Sequence, residues 1–182
     1  MFTARITSFF LFVLAFGVFT TSAIPATKRA TPADVEDVLN TLQSSTGSIT
    51  PQIDALVASN QANSENIAPL VSQLTSALNT ASASLTALDK RSLIEGRQVD
   101  NNAVASTVAG VVSSISTSVS PVAAFPGVVV LLPGLDLALS VVLKDVEHLL
   151  AGVLKLVAVL LVDVGGLLKS LAFTLTLLAL GL

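Results

Sequence analysis

Two sets of apolar residues spaced seven apart confine this chain to helices packed on helices. Val35, Leu42, Ile49 and Leu56 form the first set, and Ile67, Leu74, Ala81 and Leu88 form the second. Val38, Leu39 and Ile53 fill in around the first set, and Leu70, Val71, Leu78 and Leu85 around the second. Each stretch therefore carries one stripe at three- and four-residue spacing, the pattern of a helix that pairs with another helix. Thr46 occupies the one skipped place in the first stripe. Thr31 is suited to cap the first helix, with Pro32 at its first position and acids in its first turn. The polar run SNQANSE separates the two stripes and offers Asn63 or Ser64 as the second cap. A short connection and matching stripes predict an antiparallel hairpin. Leu42, Ile49, Ile53, Leu70, Leu74 and Leu78 would hold it, and the polar segment is expected to fold alone. Pro51 lies inside the first stripe, so a kink or break is expected between Gly47 and Pro51.

Beyond the hairpin the composition changes. Residues 30 to about 100 are rich in Ser, Thr, Asn and Gln, whereas 101–182 are dominated by Val, Leu and Ala. The charged run DKRSLIEGRQVDNN marks the join. Val104, Val108, Val111, Val112, Ile115 and Val119 make a third helical stripe, ending before Pro121. A Pro- and Gly-rich turn region follows, and its short apolar run Val128–Leu132 fits either an extended segment or a helical turn.

From Leu135 onward, Asp136, Ser140, Lys144, Glu147, Ala151, Lys155 and Ala158 fall in one narrow sector of a helical wheel, with His148 at its edge. The rest of the wheel to residue 162 is almost wholly Leu, Val and Ala. This reads as one amphipathic helix with a water-facing polar stripe. Its candidate apolar interaction face is Leu149, Leu150, Val153, Leu154, Val157, Leu160 and Leu161. Gly165-Gly166 marks a break, and a charge-free run closes the chain.

A membrane span over this tail is the competing reading. A central Asp costs about 2.5–3.5 kcal/mol on insertion and each Leu or Val returns about 0.3–0.6, so a window around Asp163 is only marginally favourable. Recurrent charges, no basic flank and no aromatic belt favour adsorption in an interface plane over spanning. A C-terminal lipid-anchor signal lacks the polar spacer it needs, because Leu167 and Leu168 stand there.

The N-terminus reads as a secretory signal: Arg5, then the apolar run Phe9–Phe19, then small residues to Ala23. Lys28-Arg29 follows as a dibasic maturation site, which puts the mature start at Ala30. Lys90-Arg91 is a second dibasic pair, either a solvated loop or a second cut. The expected organisation is a signal peptide over 1–23, a propeptide over 24–29, a polar hairpin over 30–89, a charged linker over 90–102 and an apolar helical region over 103–182. Six basic residues against twelve acids follow Ala30, a balance of about −6. With no basic cluster, nucleic-acid binding is set aside. The absence of cysteine excludes disulfide-stapled secreted scaffolds.

Catalytic chemistry has little to stand on. His148 is the only histidine, no nucleophile elbow accompanies it, and the glycines form no phosphate loop. One His without Cys makes a transition-metal site improbable, so neither cofactor nor metal is expected. Asp34, Glu36 and Asp37 in a first turn suit the helix dipole and need no further role. The expectation is a non-enzyme.

DVLNTLQSSTGSITPQIDALV followed by IAPLVSQLTSALNTASASLTAL resembles the small secreted helical proteins of mushroom-forming fungi. More distantly it resembles the hydrophobic surface-binding protein A and cell-wall galactomannoprotein group. The resemblance implies an extracellular protein that coats hyphae or wall, or adheres to apolar material, and it transfers no site residues. The expected fold is all-α, a helical hairpin plus a very apolar helical region. The expected partners are hydrophobic surfaces or the cell wall, with self-association and lipid contact left open. An extracellular carrier of lipid or another apolar ligand, and a membrane-inserted protein, remain the alternatives.

Overall fold

The computed structural model describes residues 32–89 and 101–182, with side chains from Asp34 onward. All regular structure among them is helical. The first helix, α1 (Pro32–Ala58), opens on the proline whose fixed φ suits a first helical position. It continues through Pro51 without the break that is one of the two outcomes expected there. The proline removes the bond to the Gly47 carbonyl, but Gly47 is exposed, so water can take that place. Side chains also knit this stretch: Gln52 Nε2 donates to the Ser48 carbonyl at 2.7 Å, and Thr50 Oγ1 to the Thr46 carbonyl at 3.1 Å.

α1 ends in a Schellman turn. Asn60 takes a left-handed φ of 55°, and the Gln61 N–H reaches back to the Leu56 carbonyl at 2.9 Å. Asn63 then caps α2 (Ser64–Asp89), its Oδ1 accepting the Asn66 N–H at 2.9 Å. The stripe Ile67, Leu70, Val71, Leu74, Leu78, Ala81, Leu85 and Leu88 is buried throughout. The antiparallel hairpin thus follows from period and caps together.

The third stripe forms α3 (Asn101–Val119), extended by a 3₁₀ turn over Ser120–Val122. The apolar run after Phe125 is helical: the short α4 (Pro126–Val129) leads into α5 (Leu132–Leu149). The remainder is α6 (Val153–Leu160), a 3₁₀ turn over Val162–Val164, α7 (Gly165–Ser170) and α8 (Thr174–Leu180).

α1 packs on α2 and α3, and α2 packs on α5. α6 lies on α3, and α8 lies on α5 and touches α6. Contacts at equal spacing fix the directions of these pairs. Ser64 meets Gly127 and Ser82 meets Asp145, each pair 63 residues apart, so α2 runs parallel to the α4–α5 segment. A Cβ on Gly110 would lie 3.8 Å from Nε2 of Gln43, while Asn40 neighbours Val104 and Thr107, so α1 runs parallel to α3.

One apolar core spans both compositional halves, from Val35 to Leu180. Leu42, Ile49, Ile53, Leu70, Leu74 and Leu78 all lie in it. The hairpin's inner face is covered by α3 and α5, so the change in composition near residue 100 is not a packing boundary. The hairpin expected to fold alone thus shares its core with the apolar region in the whole chain.

Candidate apolar interaction face

The expected amphipathic helix from Leu135 to residue 162 is broken at Leu150–Gly152. Gly152 sits at φ 91°, a conformation open to glycine at little cost, and the chain turns there between α5 and α6. The turn reverses the role of the expected apolar face. Leu150, Val153, Leu154, Val157 and Leu161 are core residues and Leu149 is half-buried. Of the seven, Leu160 alone is exposed, at 53%. Packing of α6 on α3 accompanies the burial of Val153, Leu154 and Val157.

The polar stripe is corrected in the same way. Asp136 is 4% exposed and Ser140 is buried. Asp136 Oδ2 accepts the Leu175 N–H and Oδ1 the Thr176 N–H, both at 2.9 Å, so this carboxylate caps α8. Glu147 Oε1 accepts the Gly152 N–H and Oε2 the Leu154 N–H, also at 2.9 Å, capping α6. Lys144 and Lys155 do face water. His148 lies 3.4 Å from Asp89, both side chains well exposed. Among the described residues no three His, Asp or Glu are placed to hold a metal ion.

The apolar residues that reach solvent are different ones. Val159 is 72% exposed, Val162 64% and Leu178 74%, joined by Leu137, Leu160, Leu175 and Leu182. Leu175 and Leu178 stand three apart on α8, which places them on one side of it, and Leu182 follows just past its end. The adjacent Asp136–Leu175 bond brings Leu137 of α5 beside that helix. Leu182 Cδ1 lies 3.9 Å from where a Cβ on Gly165 would stand, next to the turn that carries Val162. Most of the strongly exposed aliphatic side chains are thus carried by the C-terminal helices and the turns between them. Val129 and Val130, before α5, add a separate exposed pair.

A helical wheel does not reveal this face. With apolar residues nearly all round, only the fold decides which of them the core takes. Its chemistry is purely aliphatic, so it offers hydrophobic contact at about 25 cal/mol per Å² and no directional recognition. Lys155, Asp163 and Lys169 are the exposed charges on the same helices and turns.

The space among Leu39, Leu42, Leu78, Val108, Val112, Leu139 and Leu143 is about 10 Å³. That is no more than a single water needs.

Two segments, Asn101–Val122 and Pro126–Leu149, are long and apolar enough to cross a membrane, with mean hydropathy 1.4 and 2.1. Both are core elements of the bundle, and core helices pass the same test. The tail weighed above as a competing span is divided: α6 has eight residues, about 12 Å, against a hydrocarbon core of about 30 Å. The processing residues Ala23, Lys28, Arg29, Lys90 and Arg91 lie outside the described residues.

No family model matches the chain. Over 58 residues it is 60% identical to fruiting body differentiation protein 16 of Flammulina velutipes, a mushroom-forming fungus. The matched stretch is 32% of this chain and 45% of that protein, so the chain spans less than half the length of the curated relative it matches.

Proposed function

We propose that this chain is a secreted, cysteine-free structural protein of a fungal surface, which adsorbs to apolar material or coats hyphae through its C-terminal helices. The observation that carries the reading is the set of exposed aliphatic side chains, Val159, Leu160, Val162, Leu175, Leu178 and Leu182, on a bundle whose core is already filled. Exposed apolar groups concentrated on one region usually mark an interaction face. The name of the Flammulina velutipes relative supports a setting in fruiting-body differentiation. The Phe9–Phe19 run and Lys28-Arg29 support export with a mature start at Ala30.

A carrier of apolar ligands would need an interior space of about 300–1,000 Å³. The void lined by Leu39, Leu78, Val112 and Leu143 gives that alternative no support. A membrane-inserted form rests on the hydropathy of α3 and of the α4–α5 segment.

The test is to fractionate the producing culture and follow the purified protein at an air–water interface. Recovery from medium or wall beginning at Ala30, with a falling surface tension at micromolar protein, is the expected result. A carbonate-resistant membrane fraction would favour the inserted form. Surface tension unchanged from buffer would overturn the adsorption reading.

A further inference from the structure

We propose that Val153–Leu182 is a strap that opens at an apolar interface, exchanging its contacts with α3 and α5 for contacts with the interface. This rests on the surface-active reading above and concerns how that surface is regulated.

The strap consists of elements that cannot hold themselves. Its helices have eight, six and seven residues, below the roughly 12–15 at which an isolated helix becomes even marginal in water. Their order depends on the body they cover. The polar ties to that body converge on α5: Asp136 holds the N–H groups of Leu175 and Thr176, and Glu147 those of Gly152 and Leu154. The Thr176 hydroxyl adds a long bond to the Asp136 carbonyl at 3.4 Å. Each tie can be replaced by water, and the nearly buried Asp136 carboxylate gains hydration when it is released.

Apolar burial opposes opening in water. Leu168, Leu171, Phe173, Leu177 and Leu180 are buried, and lifting the strap would wet them together with the faces of α3 and α5 beneath. At an oil or air interface those side chains leave water on both sides of the exchange, so the opposing term falls away. The hydration gained by the carboxylates remains. The strap also meets the interface first, because it carries Val159, Val162 and Leu178 on its outside. Opening then enlarges the adsorbed apolar area, which strengthens binding to the interface.

The experiment is hydrogen–deuterium exchange, read by peptide, on the mature chain in solution and adsorbed to dodecane droplets. Amides of 153–182, including Leu175 and Thr176, are expected to exchange at least tenfold faster on the droplets, while Leu70–Leu85 of α2 keep their protection. Unchanged protection of 153–182 on the droplets would overturn the strap and leave the surface-active reading standing. Equal loss of protection along the whole chain would overturn it in favour of general surface unfolding. Failure to adsorb at all would remove the surface-active reading and the strap with it. Asp136→Asn and Glu147→Gln, each checked for native helicity, are expected to adsorb several-fold faster than the parent. Parent-like rates for both would contradict the latch.

Discussion

The carboxylate of Asp136 accepts the backbone N–H of Thr176 at 2.9 Å, joining α5 to a helix 40 residues further along the chain. With the parallel bond to Leu175 it satisfies two N–H groups that a helix start leaves without partners. Asp136→Ala leaves those donors unpaired in a nearly water-free site and should destabilise the fold by about 2–3 kcal/mol. Denaturant unfolding at neutral pH measures the loss. A change within error of zero would show that α8 is not held by this cap.

Glu147 does the same for α6 by a shorter path, since it lies before the Gly152 turn it closes. Glu147→Ala should lower stability by about 1–2 kcal/mol, the range of a lost helix cap. Its effect should be local, with faster amide exchange at Gly152 and Leu154 and little change in α2. Uniform acceleration along the chain would contradict a local capping role.

The contrast between these two residues and the hairpin shows what the sequence makes legible. In α2 the stripe from Ile67 to Leu88 stands against Ser, Thr, Gln and Asn, so period alone identifies the buried face. After Leu135 that contrast disappears. Asp136 and Glu147 look like a water-facing stripe because they share a wheel sector, yet each is turned toward backbone N–H groups. Those donors exist only because the chain breaks at Gly152 and again before Thr174. Leu150, Val153, Val157 and Leu161 could not be placed for the same reason: they belong to the core only because α6 settles on α3. Pro51 does not break its helix, because an exposed carbonyl at Gly47 makes a helical proline tolerable.

Thr46 is the weak point of the hairpin seam. It is 2% exposed and its hydroxyl has no hydrogen-bond partner among the described residues, in a stripe otherwise made of Val, Leu and Ile. Thr46→Val keeps the branched shape and removes the unpaired hydroxyl, so stability should rise by about 1 kcal/mol. Thermal unfolding monitored by circular dichroism is the check. A lowered midpoint would mean that the hydroxyl does have a partner in solution.

Gly127 is required by close approach. A Cβ there would stand 2.6 Å from Cβ of Ser64, at the start of α2, and its N–H donates to Ser64 Oγ at 3.2 Å. Gly127→Ala should destabilise by about 1–3 kcal/mol, because backbone has to shift on one side or the other. In a Ser64→Gly background the same change should be much milder, a coupling that a double-mutant cycle measures. Additive effects would contradict the contact.

The central claim is that exposed aliphatic side chains on the C-terminal helices give this protein its affinity for apolar surfaces. Its most direct test is interfacial tension at a dodecane–water drop, comparing the mature chain with a Val159→Gln, Val162→Gln, Leu178→Gln triple variant. All three positions are more than half exposed, so surface substitutions there should shift stability by no more than about 0.5 kcal/mol each. The account predicts native helicity for the variant together with a markedly slower and smaller fall in tension. A folded variant that lowers the tension as fast and as far as the parent would contradict it.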